Sequence, residues 1–457
     1  MFHLSEQVGL LGGELLTRLV RRVVIHLRVF RTRLVGNRVV MGLLQRAAAV
    51  VALLVSVAGV QVAQGGPARA ALPTAAVALG DSFVSGEGAG SYQPVVDASG
   101  TAQSFPGWSA ANSNAYFCHR SANASVFAAA LPGIQQRFNL ACSGAQPADI
   151  AAPSGARAEG RAVASQLDQL RAVARTHDID VVLVGLGSNN TQFTFGDVAT
   201  LCANRFIADA WTGWWEFWAY LKGEVPQRPC TASDLATGAE VEAATAETTA
   251  ALRLILDTLA QVDADGSHQV ILQTYTNPLP PELAAQYHEE DNRSDTRDKF
   301  RALGAERYAA GCPIHRASLG PGQVFSESLG SLVRNAQAVL AAERPAADVR
   351  VLDVQRAFDG ARLCENPGSP GGALATPVRV QDGPSGTFIT SLSGWDKIGI
   401  QRAANTCVTY FQTCQESWHP NAAGHAVLGQ CLAGAFAAAP RAVVGCARNA
   451  DGTLTIS

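Results

Sequence analysis

The residues with the clearest chemical potential begin in "AAVALGDSFVSGEG", positions 75 to 88, where an apolar run ends in Gly80-Asp81-Ser82. A serine hydroxyl is a poor nucleophile until a base takes its proton. Placed just past a strand, where a helix begins, Ser82 would expose its hydroxyl and set backbone N–H groups toward a developing oxyanion. Glycines 86, 88 and 90 would relax the turn around it. The same position also suits a helix N-cap serine, and the stretch by itself leaves both readings open. The base must come from elsewhere. Among nine histidines, His419 stands in "CQESWHPNAAGH", directly before Pro420 and ahead of a helix-like run. A loop position leaves its imidazole free to turn toward a ligand. Glu416 stands three residues earlier, where a carboxylate accepting from one ring nitrogen would raise the basicity of the other. His425 reads as helical and structural, and His119 adjoins Cys118 close to the expected site. His177, His268, His288 and His315 have no comparable context.

Five short apolar runs would position these groups: 75–80, 138–142, 180–187, 269–275 and 349–354. Helix-like stretches separate them, notably 160–175 and 238–262, and a further one follows at 421–438. Strands alternating with helices predict right-handed βαβ units and a buried parallel sheet. Ligands of such sheets sit at the carboxyl ends of the strands. There the first three runs lead into Gly80-Asp81-Ser82, "ACSGA" (141–145) and "GLGSNN" (185–190). No internal repeat or linker-bounded second domain is visible, and residues 71–457 read as one α/β domain with insertions. The insertion at 202–230 holds "WTGWWEFWAY", with four of the seven tryptophans. It reads either as a small aromatic core or as a lid gripping an acyl chain.

Composition narrows the partners. The chain has 457 residues and a net charge of −3. Residues 1–70 contribute nine Arg and two acids, so the remainder holds 26 basic and 36 acidic residues, net −10. Nucleic acid is not an expected partner for that remainder. Residues 41–70 have one early Arg, an apolar run of roughly 17 residues and a closing Ala68-Arg69-Ala70, the layout of a cleaved signal peptide. Residues 1–40, Arg-rich and amphipathic, fit poorly before it; they are expected to be a mis-annotated extension, with Met41 the true start. Secretion without a retained membrane span follows as an expectation. All ten cysteines lie after Ala71, and their spacing argues for disulfides over zinc. Sequential pairing is expected: Cys118–Cys142, Cys202–Cys230, Cys312–Cys364, Cys407–Cys414 and Cys431–Cys446.

"GDSFVSGEG", "ACSGA", "GLGSNN" and "ESWHPNAAGH" occur in the block order of the SGNH (GDSL-type) hydrolases, and the chain resembles the secreted, disulfide-bonded actinomycete esterase branch over residues 75–436. The resemblance implies a three-layer α/β/α flavodoxin-like sandwich with a five-stranded parallel sheet in order 2-1-3-4-5. It implies Ser82 as nucleophile and His419 as general base. It implies an oxyanion hole from the Ser82 and Gly144 N–H groups and the Asn189 side chain, and no metal or other cofactor. Two blocks depart from the family pattern. Asn190 stands where the family usually has Asp, and Glu416 replaces the Asp three residues before the histidine. Either Glu416 or the Trp418 backbone carbonyl would then orient His419. The expected activity is hydrolysis of a small-molecule or lipid ester by a monomer through an acyl-enzyme. Lipase, phospholipase, carbohydrate deacetylase and acyltransferase chemistry fit the same residues. A non-catalytic binding protein fits less well, having no use for Ser82, Gly144, Asn189 and His419 together.

Overall fold

The structure, a computed structural model, describes residues 72–93, 118–152, 164–191, 193, 198, 201–202, 229–262, 268–281, 316–362 and 418–457. All of them belong to the compact unit Leu72–Ser457. The expected leader and extension, the tryptophan cluster, Glu416 and residues 365–394, a Gly-, Pro- and Ser-rich stretch that the sequence suggests is a long surface loop, lie outside the described residues.

Among the described residues, seven strands form one sheet: β1 (Thr74–Gly80), β2 (Gln136–Asn139), β3 (Asp178–Gly185), β4 (Gln269–Gln273), β5 (Asp348–Arg356), β6 (Val443–Arg448) and β7 (Leu454–Ile456). Their order is β2-β1-β3-β4-β5-β6-β7. The first five strands therefore have the expected 2-1-3-4-5 order, and every pairing up to β6 is parallel. The expected count of five is corrected to seven. The chain continues past its last helix into parallel β6, then folds back as antiparallel β7. The cue for that return is the Asp451-Gly452 turn, closed by Asn449 N–H donating to the Thr453 carbonyl at 2.8 Å with Gly452 at φ +89°.

Alternation along the strands divides two cores. Ala75, Val77 and Leu79 of β1 face one way, and Ala76 and Ala78 the other. The first face is covered by helices α3 (Gln166–Ala174), α4 (Gly238–Val262) and α5 (Leu319–Glu343), through Leu170, Ile255 and Leu332 among others. The second is covered by α2 (Ser125–Ala128) and α6 (Ala422–Ala437), through Val126, Leu428 and Leu432. This is the three-layer sandwich. The strands read as near-continuous apolar runs because both faces are buried. In β3 the parity switches: Ile179 lies on the first face and Val181 on the second, and the β1–β3 register shifts at Ala75/Ala76. One extra residue, Asp180, makes that shift. Helix α5 was not legible as a periodic run. Gly320, Gly322, Gly330 and several serines interrupt it, and packing rather than propensity holds it.

Three of the expected disulfides join described residues: Cys118–Cys142, Cys202–Cys230 and Cys431–Cys446. The first ties the approach to α2 to the loop after β2, and the last ties α6 to β6. Cys312, Cys364, Cys407 and Cys414 lie outside the described residues.

Candidate active site

Ser82 opens the one-turn helix α1 (Ser82–Ser85), directly after β1. The chain must pivot there. Gly80 has φ +127°, and a Cβ on it would lie 1.8 Å from the Gly185 carbonyl oxygen of the neighbouring strand. Only glycine fits both the conformation and the space. Asp81 follows, its N–H donating to that same Gly185 carbonyl at 2.8 Å. Asp81, not Ser82, is the N-cap: its Oδ1 accepts from Phe83 N–H at 3.1 Å. This corrects the cap reading of Ser82 and leaves its hydroxyl for another partner.

That partner is His419. Its Nε2 lies 2.8 Å from Ser82 Oγ across 337 residues of sequence. Both residues are 6% exposed. His419 precedes Pro420, whose ring holds it out of the helical region. Asn421 then caps α6, its side chain accepting from Gly424 N–H at 2.9 Å. Trp418 is buried with φ +73°, a conformation that costs a non-glycine residue energy and marks a backbone held by its surroundings. Phe83 packs against the imidazole with ring centroids 4.8 Å apart, and Tyr275 packs edge-on against Phe83 at 4.9 Å. His425 is buried in α6, as the sequence suggests. Burial, with the nearby His419 charge, pushes it down to about 3, so it is neutral at ordinary pH.

Gly144 and Asn189 lie in the loops after β2 and β3, at the same sheet edge as Ser82. Gly144 has φ +73° with open space where a Cβ would stand, so conformation rather than room selects glycine. Among the described residues, the N–H groups of Ser82 and Gly144 donate to no other backbone group. Asn189 Nδ2 is buried and likewise has no hydrogen-bond partner among them. A buried donor without an acceptor is costly unless a ligand completes it. Gln146 Nε2 donates to the Asn190 carbonyl at 3.3 Å and so links the two loops.

Sequence reasoning missed the buried carboxylates beside the nucleophile. Asp81, fully buried, accepts from Tyr275 Oη at 2.6 Å and Ser188 Oγ at 2.7 Å. Tyr275 Oη in turn accepts from Ser188 N–H at 2.9 Å. Burial raises the Asp81 carboxyl to about 6 against these hydrogen bonds, and raises the Tyr275 phenol as well. Glu87, also fully buried, accepts from the Ser143 hydroxyl and pairs with His119 Nδ1 at 2.8 Å. Burial opposes its ionisation. The charges of His119 and His419 and the Ser143 hydroxyl overcome that and hold it below its ordinary value. Arg120 donates to the Ala141 carbonyl at 2.8 Å and the Leu140 carbonyl at 2.6 Å, fixing the end of β2; burial lowers its guanidinium to about 10. The only sequence signal for these roles was the acid set between glycines in "SGEG".

The Asp81 shift has a consequence for stability. A carboxyl at 3.8 in the unfolded chain and about 6 in the fold favours the native state below pH 3.8, and that contribution disappears as pH rises through about 6. Its size is about 3 kcal/mol. The stability of the wild type relative to Asp81→Asn is therefore expected to fall by about this amount across that window, measured by urea unfolding at a series of pH values. A flat difference would contradict the assignment.

No known family description matches the chain, and no curated protein does. Solved structures similar to it include the extracellular lipase from Streptomyces rimosus, at 20% identity over 79% of this chain and 99% of that one, with a TM-score of 0.33. Phospholipase A1 from Streptomyces albidoflavus NA297 is similar at 19% identity over 78% and 95%, with a TM-score of 0.36. A family two carbohydrate esterase from Clostridium thermocellum is similar at 10% identity over 80% and 63%, with a TM-score of 0.26.

Proposed function

We propose that the protein is a secreted serine hydrolase of carboxylic esters, of the SGNH type. The observation that carries this reading is the 2.8 Å contact between Ser82 Oγ and His419 Nε2 in a buried setting. In the proposed cycle His419 takes the Ser82 proton as the hydroxyl attacks the ester carbonyl. The oxyanion forms against the Ser82 and Gly144 N–H groups and the Asn189 amide. His419 then protonates the leaving alkoxide, and the same imidazole activates the water that releases the acid. Glu416 or the Trp418 carbonyl holds the other ring nitrogen. Asn189→Ala is expected to lower kcat by about 10²–10³ with little change in KM, since the amide meets charge that exists only in the transition state.

A small apolar pocket next to Trp418, the residue before His419, favours an aliphatic over a polar acyl group in this reading. Trp418, Leu235, Pro278, Leu279 and Phe325 line it. The disulfides among described residues fit an oxidising compartment, in keeping with export. The test is hydrolysis of p-nitrophenyl esters of graded chain length by the wild type and Ser82→Ala. Turnover that rises with acyl length and is absent from Ser82→Ala supports the reading. Equal rates for the two proteins refute it.

A further inference from the structure

Two oxyanion donors, Gly144 and Asn189, share an unusual neighbour: each directly follows a serine whose hydroxyl donates to a buried carboxylate. Ser188, before Asn189, donates to Asp81. Ser143, before Gly144, donates to Glu87. The two acids bracket the nucleophile helix. Asp81 is its N-cap, and Glu87 follows its C-cap Gly86, with the Glu87 N–H donating to the Ser82 carbonyl at 3.2 Å. We infer that Glu87, together with Asp81, is a positioning residue: the pair forms a two-sided clamp that sets both oxyanion donors against Ser82 before substrate arrives. The inference rests on the Ser82 hydrolase reading and extends it to residues that touch no substrate.

The physical case begins with cost. Burying a carboxylate is unfavourable unless it is paired and hydrogen-bonded, so two fully buried acids around one helical turn need a purpose that packing alone does not give. Each is met by groups from different elements. Asp81 gathers Ser188 from the loop after β3 and Tyr275 from the loop after β4. Glu87 gathers Ser143 from the loop after β2 and His119 from the segment before α2. Further contacts limit the slack on the Glu87 side. His119 stacks on Tyr92 with centroids 4.8 Å apart, and the Tyr92 hydroxyl accepts from Gly88 N–H at 2.9 Å. Ser143 N–H donates to the Cys118 carbonyl at 3.1 Å, beside the Cys118–Cys142 disulfide. A donor held in place before the reaction needs no reorganisation as charge develops, which is the condition under which oxyanion donors are most effective. Residues one shell out from reacting groups commonly govern that precision.

The test uses the full chain and p-nitrophenyl butyrate. Ser143→Ala cuts the Glu87 tie while leaving the Gly144 backbone in place. It is expected to lower kcat about 10–100-fold with KM within about twofold. Ser143→Thr, which keeps the hydroxyl, is expected to restore kcat to within about threefold. Glu87→Gln, which keeps an acceptor and a hydrogen-bonding amide, is expected to fall between wild type and Glu87→Ala. Thermal unfolding of each variant identifies loss of fold, and Ser143→Ala, the mildest change, decides the matter if Glu87→Ala does not fold. Wild-type kcat in Ser143→Ala, a loss confined to KM, or an equal loss in Ser143→Thr overturns the clamp and leaves the hydrolase reading standing. Hydrolysis that persists in Ser82→Ala overturns both.

Discussion

Ser82→Ala is expected to lose at least about 10⁴-fold in kcat toward activated esters while folding like the wild type. The substitution removes one oxygen. That oxygen is buried and lies 2.8 Å from His419 Nε2. Its loss costs the fold about 1 kcal/mol, the net value of one hydrogen bond. Its loss costs the reaction its covalent step. His419→Gln is expected to fall to a similar level, because without a base the hydroxyl stays protonated. The double variant is expected to be no worse than either single one, since residues that act as a unit do not contribute additively. Steady-state kinetics with active-site titration checks all three. A double variant much slower than both singles would mean that the two residues act separately.

Gly80→Ala is the largest expected effect on stability. The added Cβ would meet the Gly185 carbonyl oxygen at 1.8 Å, at a φ of +127° that an L side chain rarely adopts. Neither partner can move cheaply. The Gly185 carbonyl already accepts from Asp81 N–H at 2.8 Å, and Gly80 is bound on both sides by the Gln166 amide at 2.8 Å. The loss is expected to reach about 4 kcal/mol or to prevent folding. Urea unfolding measures it, with Gly133→Ala as a control that is also at positive φ, +87°, but in open surroundings. A Gly80→Ala no less stable than that control would contradict the close approach. Any activity change in Gly80→Ala is expected to follow misplacement of Ser82, two residues on.

The first strands and the histidine loop were legible because their signals are local, whereas the 2-1-3-4-5 order and the partnership of Ser82 with His419 were expected from the resemblance in block order. β1 reads as an unbroken apolar run into a glycine, and His419 sits before a proline and a capping asparagine. β6 and β7 were harder to read. Val443–Arg448 is short, six positions in which buried residues alternate with one exposed and two half-buried ones, and β7 is three residues long. Asp81 and Glu87 are the instructive omissions. An acid beside a serine and an acid between glycines look like solvated turn residues. Only the fold reveals that Tyr275, some 190 positions away, and Ser143 and His119 close over them. Burial of charge is a tertiary property and leaves no periodic trace in the chain.

The most direct measurement is covalent labelling with a fluorophosphonate ester, followed by intact-mass and peptide mass spectrometry. One phosphonyl group per chain is expected, located on Ser82, absent from Ser82→Ala and formed far more slowly in His419→Gln. A stoichiometric adduct on any other residue, or none on a folded protein that hydrolyses esters, would contradict Ser82 as the nucleophile.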